Sequence, residues 1–544
     1  MPMAEAGRPF RYIFLEDAAQ WFHQVFMSAD GPANIRIEEA RRRVLATFVD
    51  PLIAAEVEAV VYRICQGLHY MFYDSRVTEC IGDTVEVLDR YRFAHRAKQI
   101  FAADGTRGLW NMAQNFARFR DAGYDPHADI ISRLHEVGKQ VYIKTRISDA
   151  HVDASRLWFG QAGSRARATD FLLRHPEYML GYKDERSRHG GPSLVQDFAR
   201  QEVRDQRLAE LEELAQRYDL DGIEINFCRS YHLFKYDEID RGRELLTDFL
   251  RRFRAILDRE GERKGRRLKS IVRFHIAGAT RTYQDMEYDD GADIIGWMEE
   301  GLVDMVVPTV PVAAMEGAVY MTKYIEAAKG LDCEVFAGTR NPNHDDLSLR
   351  PITREILWAQ LQSYAQAGAD GAYIWWPRID PGHANWEMLT EFGEPRALRR
   401  SDKHYVGSRG LPLTLQPGDN SVPLNVADDV REAATAGELD EVRLRLRILH
   451  LSPDDELSFK MNGQPIPPEA LVVPAHPSAR AIFGRIDLIL SGAALPSQDD
   501  NEVTVTLEQR AHAIAGDPAD PRRLGELILR NVELTIRYRH GVTA

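Results

Sequence analysis

The 544-residue sequence is poor in cysteine: Cys65, Cys80, Cys228 and Cys333 are its only four, and no two form a CxxC pair. That excludes a disulfide framework and the paired spacing of a structural zinc site, so the thiols read as reduced and buried. A basic surplus is also lacking. Lys and Arg number 69 against 83 Asp and Glu, a formal net charge of −14. No nucleic-acid partner is expected, because neutralising phosphates takes a positive surface. No apolar run is long enough to cross a bilayer, and MPMAEAGRPFRYIFLEDAAQ lacks the apolar core of a secretory signal. The reading is a cytoplasmic chain with no membrane partner, for which a homo-oligomer remains compatible. Neither a GxGxxG opening a helix nor a P-loop occurs, so no cofactor is expected.

What is present is a rhythm. Short β-branched runs alternate with longer segments of helical period: RYIFLED (11–17), VEAVVYRICQG (57–67), KQVYIKTRISD (139–149), DGIEINF (221–227), SIVRFHIAG (270–278), VDMVVPTVP (303–311), CEVFAGTR (333–340) and ADGAYIWWPR (369–378). Strands alternating with helices predict parallel β/α units. Eight units over residues 1–400 predict a (β/α)8 barrel. A doubly wound sheet would carry a glycine-rich turn after its first strand, and LEDAAQW is not one.

Past residue 400 the texture changes to short alternating runs, among them EVRLRLRILHL, ELSFKMNGQPI, EVTVTLEQR and NVELTIRYRH. The Asn-Gly of MNGQ is a hairpin signal, and residues 401–544 read as an antiparallel β-sandwich. All eight tryptophans precede residue 400, and Tyr405, Phe459, Phe483 and Tyr538 are the only aromatics after it. With so few platforms for a sugar, this part reads as a structural or accessory module.

Side chains alternate between the interior of a barrel and its helix layer. In DGIEINF the apolar set Ile223, Ile225 and Phe227 takes the helix side, which turns Glu224 and Asn226 inward. The same phase turns in Lys144 and Arg146 on the third strand, and Arg273 and His275 on the fifth. Glu16 and Asp17 end the first strand, Arg63 and His69 lie at and after the second, Asp149 and His151 follow the third, and Arg229 follows the fourth. Arg340 follows the seventh strand, and Trp375 and Trp376 stand in the eighth. Each of these has a plain alternative reading as a buried ion pair or a packed ring. Desolvating so many charges at one end is costly, and that end is where barrels keep their sites.

These runs resemble a family. YDLDGIEINFCR resembles the fourth-strand DGIELDFxR-type motif of the glycosyl hydrolase-like (β/α)8 proteins, RISDAH (146–151) their third-strand RxNDxH element, and FLEDAAQW their first-strand FxDD element. The resemblance covers most of residues 10–400. It implies chemistry on a carbohydrate substrate, with Glu224 at the centre, Asp149, Arg146 and His151 beside it, and Asp17 near the first strand. Asn226 departs from the motif, which commonly has Asp there.

Glycoside hydrolysis generally needs two carboxyl groups, one to protonate the leaving oxygen and one to act as nucleophile or base. Glu224 is the expected general acid/base and Asp149 the favoured partner, with Asp17 and Glu16 in reserve. Asn226 is expected to bond a sugar hydroxyl, and Trp375 and Trp376 to stack on sugar faces. Arg63, Lys144, Arg146, Arg229, Arg273, Arg340 and Arg378 suit an anionic saccharide, since arginine forks match carboxylate and sulfate; equally, they could pair with the neighbouring acids. Two other readings stay open. One is a non-catalytic glycan-binding protein in which Asn226 marks a lost carboxylate. The other is a metal-dependent hydrolase or lyase using His69, His151, His275 and Asp149, although no HExxH and no first-strand HxH is present.

Overall fold

The computed structural model describes residues 10–16, 27–28, 31–32, 36–66, 70–84, 106–147, 169–181, 193–228, 233–276, 291–309, 316–339, 353–376, 388–392, 395–452, 454–472, 484–510 and 525–539. Eight strands form a closed parallel barrel: β1 (Arg11–Glu16), β2 (Ala59–Arg63), β3 (Gln140–Arg146), β4 (Gly222–Asn226), β5 (Lys269–His275), β6 (Met305–Thr309), β7 (Glu334–Gly338) and β8 (Gly371–Trp376). Each pairs with its neighbours in the sequence, and β8 closes on β1 with Tyr373 opposite Ile13 and Trp375 opposite Leu15. Every strand expected from the alternation is present.

The helices form because their apolar residues recur on one face. In α1 (Gln201–Arg217), Val203, Leu208, Leu211, Leu214 and Ala215 are buried. In α2 (Ile239–Lys264), Leu246, Phe249, Leu250, Phe253, Ile256 and Leu257 follow the three-four spacing of a core-facing stripe. α2 ends at Gly265, whose φ of 71° is the left-handed turn that glycine adopts without strain. α3 (Gly317–Ala328) follows β6, and α4 (Arg354–Gln366) precedes β8. Thr353 caps α4, its Oγ1 accepting the Ile356 N–H at 3.3 Å.

The barrel interior is layered. At the N-terminal end, Arg11 reaches Glu334 at 2.8 Å and Glu58 at 3.3 Å, and Lys269 reaches Glu334 at 2.8 Å. Above this ionic floor, Ile13, Leu15, Val61, Tyr142, Ile271, Met305, Val307, Phe336 and Tyr373 form an apolar core separate from the one between strands and helices. Ile223, Ile225, Val272, Phe274, Val141 and Ile143 belong to that outer core. The strand phase expected for β3, β4 and β5 is therefore the observed one.

Beyond the barrel, two antiparallel sheets stack as a sandwich. One contains β9 (Lys403–Gly407), β12 (Leu439–Leu449), β15 (Arg485–Ile489) and β17 (Ile528–Tyr538), with β10 (Leu413–Thr414) on β17. The other contains β11 (Gly418–Val426), β13 (Glu456–Met461), β14 (Gln464–Ile466) and β16 (Asp499–Gln509). In β12, Val442, Leu444, Leu446 and Ile448 are buried while the intervening arginines are not, the period-two pattern of a one-sided strand. β13 and β14 meet at Asn462 and Gly463, both at positive φ, as a two-residue hairpin requires. Among the described residues a short α-helix, Val430–Thr435, and two 3-10 turns, Pro468–Ala470 and Gly492–Ala494, interrupt a region that reads as all strand; Asp429 caps the helix by accepting the Glu432 N–H at 2.9 Å. Tyr405 and Tyr538 are buried and Phe459 is half-buried, so none of these three is an exposed platform.

The sandwich docks on the barrel through Glu316, just before α3. This carboxylate is 1% exposed. It accepts hydrogen bonds from the Ser408 N–H (3.0 Å) and hydroxyl (2.9 Å), from the Arg409 N–H and Nε (3.0 Å each) and from the Asn425 N–H (3.3 Å). Arg409 continues to Asp500 at 2.6 Å, and β9 packs on α4.

Candidate functional site

At the C-terminal end of the barrel the interior turns polar. Backbone register sets the rungs. Glu224 stands between Lys144 on β3 and Ile271 on β5, and two residues further along the strand Asn226 stands between Arg146 and Arg273. Arg63 is level with Lys144 across the β2–β3 pairing. All of these side chains are buried.

Glu224 is fully buried, and its Oε2 accepts a hydrogen bond from the hydroxyl of Tyr373 on β8, at the opposite side of the ring. Tyr373 also faces Arg273, whose guanidinium carbon lies 5.1 Å from the centre of that ring and 5.5 Å from that of Trp375. Arg273 donates from Nε to Thr309 Oγ1 at 3.2 Å. Thr309 is adjacent to Gly338, where a β-carbon would collide with Thr309 Oγ1. Glycine at that position keeps the Arg273 support in place. Asn226 turns its Oδ1 back to the Cys228 N–H at 2.7 Å, closing the turn after β4.

The structure thus brings together Glu224, Asn226, Arg146, Arg273 and Trp375, with Arg63 one rung lower and His275, half-buried, at the end of β5. Glu16 is buried on the phase of Phe14, the helix-facing side of β1, because alternation gives the interior to Ile13 and Leu15. Asp17, His69, Asp149, His151, Arg229, Arg340 and the side chain of Trp376 lie outside the described residues. Among the described residues no group of three or more His, Cys, Asp or Glu is arranged to hold a metal, and no helix is long and apolar enough to cross a membrane.

Two participants escaped the sequence reading. Tyr373 had a signal, since it shares the inward phase with Trp375 in GAYIWW, but a tyrosine among aromatics reads as packing. Thr309 had none, because its role comes from register with its neighbours on β5 and β7.

No family model matches the sequence, and no curated protein matches it significantly. Solved structures similar in chain path include the PgaB (BpsB) glycoside hydrolase domain from Bordetella bronchiseptica, 13% identical, with 71% of this chain and 98% of that one covered at a TM-score of 0.41. The maltogenic alpha-amylase AmyB from Thermotoga neapolitana is 10% identical over 90% of this chain and 98% of that one, at a TM-score of 0.35. Alpha-L-fucosidase isoenzyme 1 from Paenibacillus thiaminolyticus is 13% identical over 92% and 97%, at 0.33. These likenesses are distant.

Proposed function

We propose that the chain is a glycoside hydrolase acting on a poly- or oligosaccharide, with Glu224 as general acid/base and Asp149 as the favoured partner carboxylate. The observation that carries this reading is the position of Glu224: a carboxyl on the inward face of β4, near the end of the barrel where such folds keep their chemistry, held by Tyr373. The resemblance of DGIEINFCR to a glycosyl hydrolase-like motif supports it from the sequence side. In the first step the Glu224 carboxyl gives its proton to the glycosidic oxygen as the bond to the anomeric carbon breaks. In that same step the partner carboxylate either attacks that carbon, giving a glycosyl-enzyme ester that water, losing its proton to Glu224, then hydrolyses, or takes a proton from the water that attacks instead. Trp375 offers a ring face to the sugar, and Asn226 an amide to a hydroxyl.

The test is reducing-end release from a broad oligosaccharide panel by wild type, Glu224→Gln and Asp149→Asn. Turnover by wild type, with a loss of about a thousandfold or more in Glu224→Gln and binding retained, is the expected result. Turnover unchanged in Glu224→Gln would end the assignment.

A non-catalytic glycan-binding protein is the second reading, favoured by Asn226 standing where the motif commonly has an acid. It predicts binding by wild type without release of reducing ends from any member of the panel.

A further inference from the structure

The outer face of the sandwich sheet that holds β12 carries a second polar cluster. Side chains directly opposite each other on paired antiparallel strands share a face, with β-carbons about 4.5–5.5 Å apart. Arg445 on β12 stands between Asp487 on β15 and Glu533 on β17, and two residues further along Arg447 stands between Arg485 and Asn531. The first of these rungs is compensated. Asp487 takes Arg445 at 2.9 Å, Arg485 at 2.5 Å and Arg443 at 3.5 Å. Glu533 takes His404 at 3.0 Å, and Glu441 takes Arg443 at 2.9 Å. The second rung is not compensated, since its three residues bring two cations and no acid. Arg447 is half-buried; among the described residues no carboxylate pairs with it, and its Nε is buried without an acceptor. Asn531 is 4% exposed, and its Oδ1 has no donor among the described residues. Buried polar atoms without partners are rare in folded chains, because each forfeits its bond to water. Nor does composition call for a surplus of cations here, in a chain of net charge −14.

The group that completes this rung accepts from Arg447 and donates to Asn531. A carboxylate alone only accepts, and a lone hydroxyl leaves the charge of Arg447 uncompensated. An acidic sugar residue does both: its carboxylate accepts from Arg447 and Arg485, and a ring hydroxyl beside it donates to Asn531 Oδ1. We infer that the Arg485–Arg447–Asn531 rung is an accessory site for an acidic saccharide, a uronate-bearing chain laid across the sheet. Tyr405, Phe459 and Tyr538 offer no exposed ring here, so charge and hydrogen bonds do the recognising in place of stacking. A peptide also offers a carboxylate and an N–H, but sheets recruit peptides along an edge, through the backbone. These contacts come from side chains on the face, and the edge strand β15 already receives the Val472 N–H at the Asp487 carbonyl, at 2.9 Å. The choice of a saccharide rests on the glycoside-directed reading; the site itself does not involve Glu224.

The experiment is titration calorimetry of the full chain carrying Glu224→Gln, so that no probe is consumed. The probes are an oligouronate, a neutral oligosaccharide of the same length and an oligoglutamate. The oligouronate is expected to bind ten times or more tightly than either of the others, and more weakly as salt is raised. Adding Arg447→Gln is expected to reduce that affinity at least tenfold. Asn531→Asp, which supplies the missing acid in a side chain of the same shape, is expected to do the same. Undiminished affinity in either variant, no binding of the oligouronate, or a neutral sugar bound as tightly would each overturn the inference. Oligoglutamate bound as tightly would overturn it too, by making the rung a site for acidic polypeptide. The comparison of probes holds even if a variant folds poorly. Reducing-end release by the wild-type barrel is a separate readout. Oligouronate binding that Arg447→Gln weakens, without release from any glycan, removes the hydrolase and leaves the sandwich site; release with no such binding does the reverse.

Discussion

Tyr373 on β8 and Glu224 on β4, 149 residues apart, meet through a hydrogen bond across the inside of the barrel, the tyrosine donating to the carboxylate. The bond joins opposite walls of the ring. It holds the carboxyl in one orientation below the Asn226 rung, and it gives a buried acceptor a donor.

Removing that donor has a defined effect. Tyr373→Phe leaves a buried carboxyl short of one partner and is expected to cost about 1–3 kcal/mol of stability. In the double variant with Glu224→Gln the effects should not add, with a coupling of about 0.5–3 kcal/mol. Urea midpoints of the four proteins measure it; strictly additive losses would mean that the bond bears no part of the fold.

Glu316 predicts how the two parts of the chain hold together. Glu316→Ala strips acceptors from Ser408, Arg409 and Asn425 at once. Breaking one side of such a buried pair costs about 3–5 kcal/mol. Calorimetry should show a lower midpoint and the separation of sandwich and barrel into two transitions. A single transition at the wild-type temperature would show that the docking rests on the α4–β9 packing instead.

A pH dependence follows from α1. Glu210 is buried against Arg207 at 2.6 Å, and burial pushes its carboxyl up to about 7 from an ordinary 4.5, against the pull of the guanidinium. The same burial lowers Arg207 to about 10. The folded carboxyl therefore keeps its proton to higher pH than the unfolded one. The stability it contributes is fully present below 4.5 and is lost as pH rises through about 7. Glu210→Gln cannot ionise, so its stability relative to wild type should climb over that window. Parallel stability–pH curves for the two proteins would refute this.

Trp375, half-buried at the inward end of β8, stacks with Arg273. Trp375→Ala should weaken glycan binding about tenfold, or 1.4 kcal/mol, while the far-ultraviolet circular dichroism stays unchanged. Undiminished affinity would place the sugar elsewhere.

The eight strands and the inward phase of Glu224, Asn226, Arg146 and Arg273 were legible because a strand's two-residue period writes its facing directly into the sequence. The Asn-Gly hairpin was legible because its two positive φ angles restrict residue choice. Glu316 gave no such sign. Its partners lie in the sandwich, more than ninety positions away, and nothing local distinguishes a docking carboxylate from a solvated one.

By itself, then, the sequence determined the alternation of elements, the side of each strand that is apolar and the change of architecture after residue 400, all of which depend on short-range periodicity. Only the tertiary structure decided that Tyr373 reaches Glu224, that Asn226 lies between two arginines and that Thr309 holds one of them. Those relations depend on barrel closure and strand register, and a register is a property of two segments together, which neither carries alone.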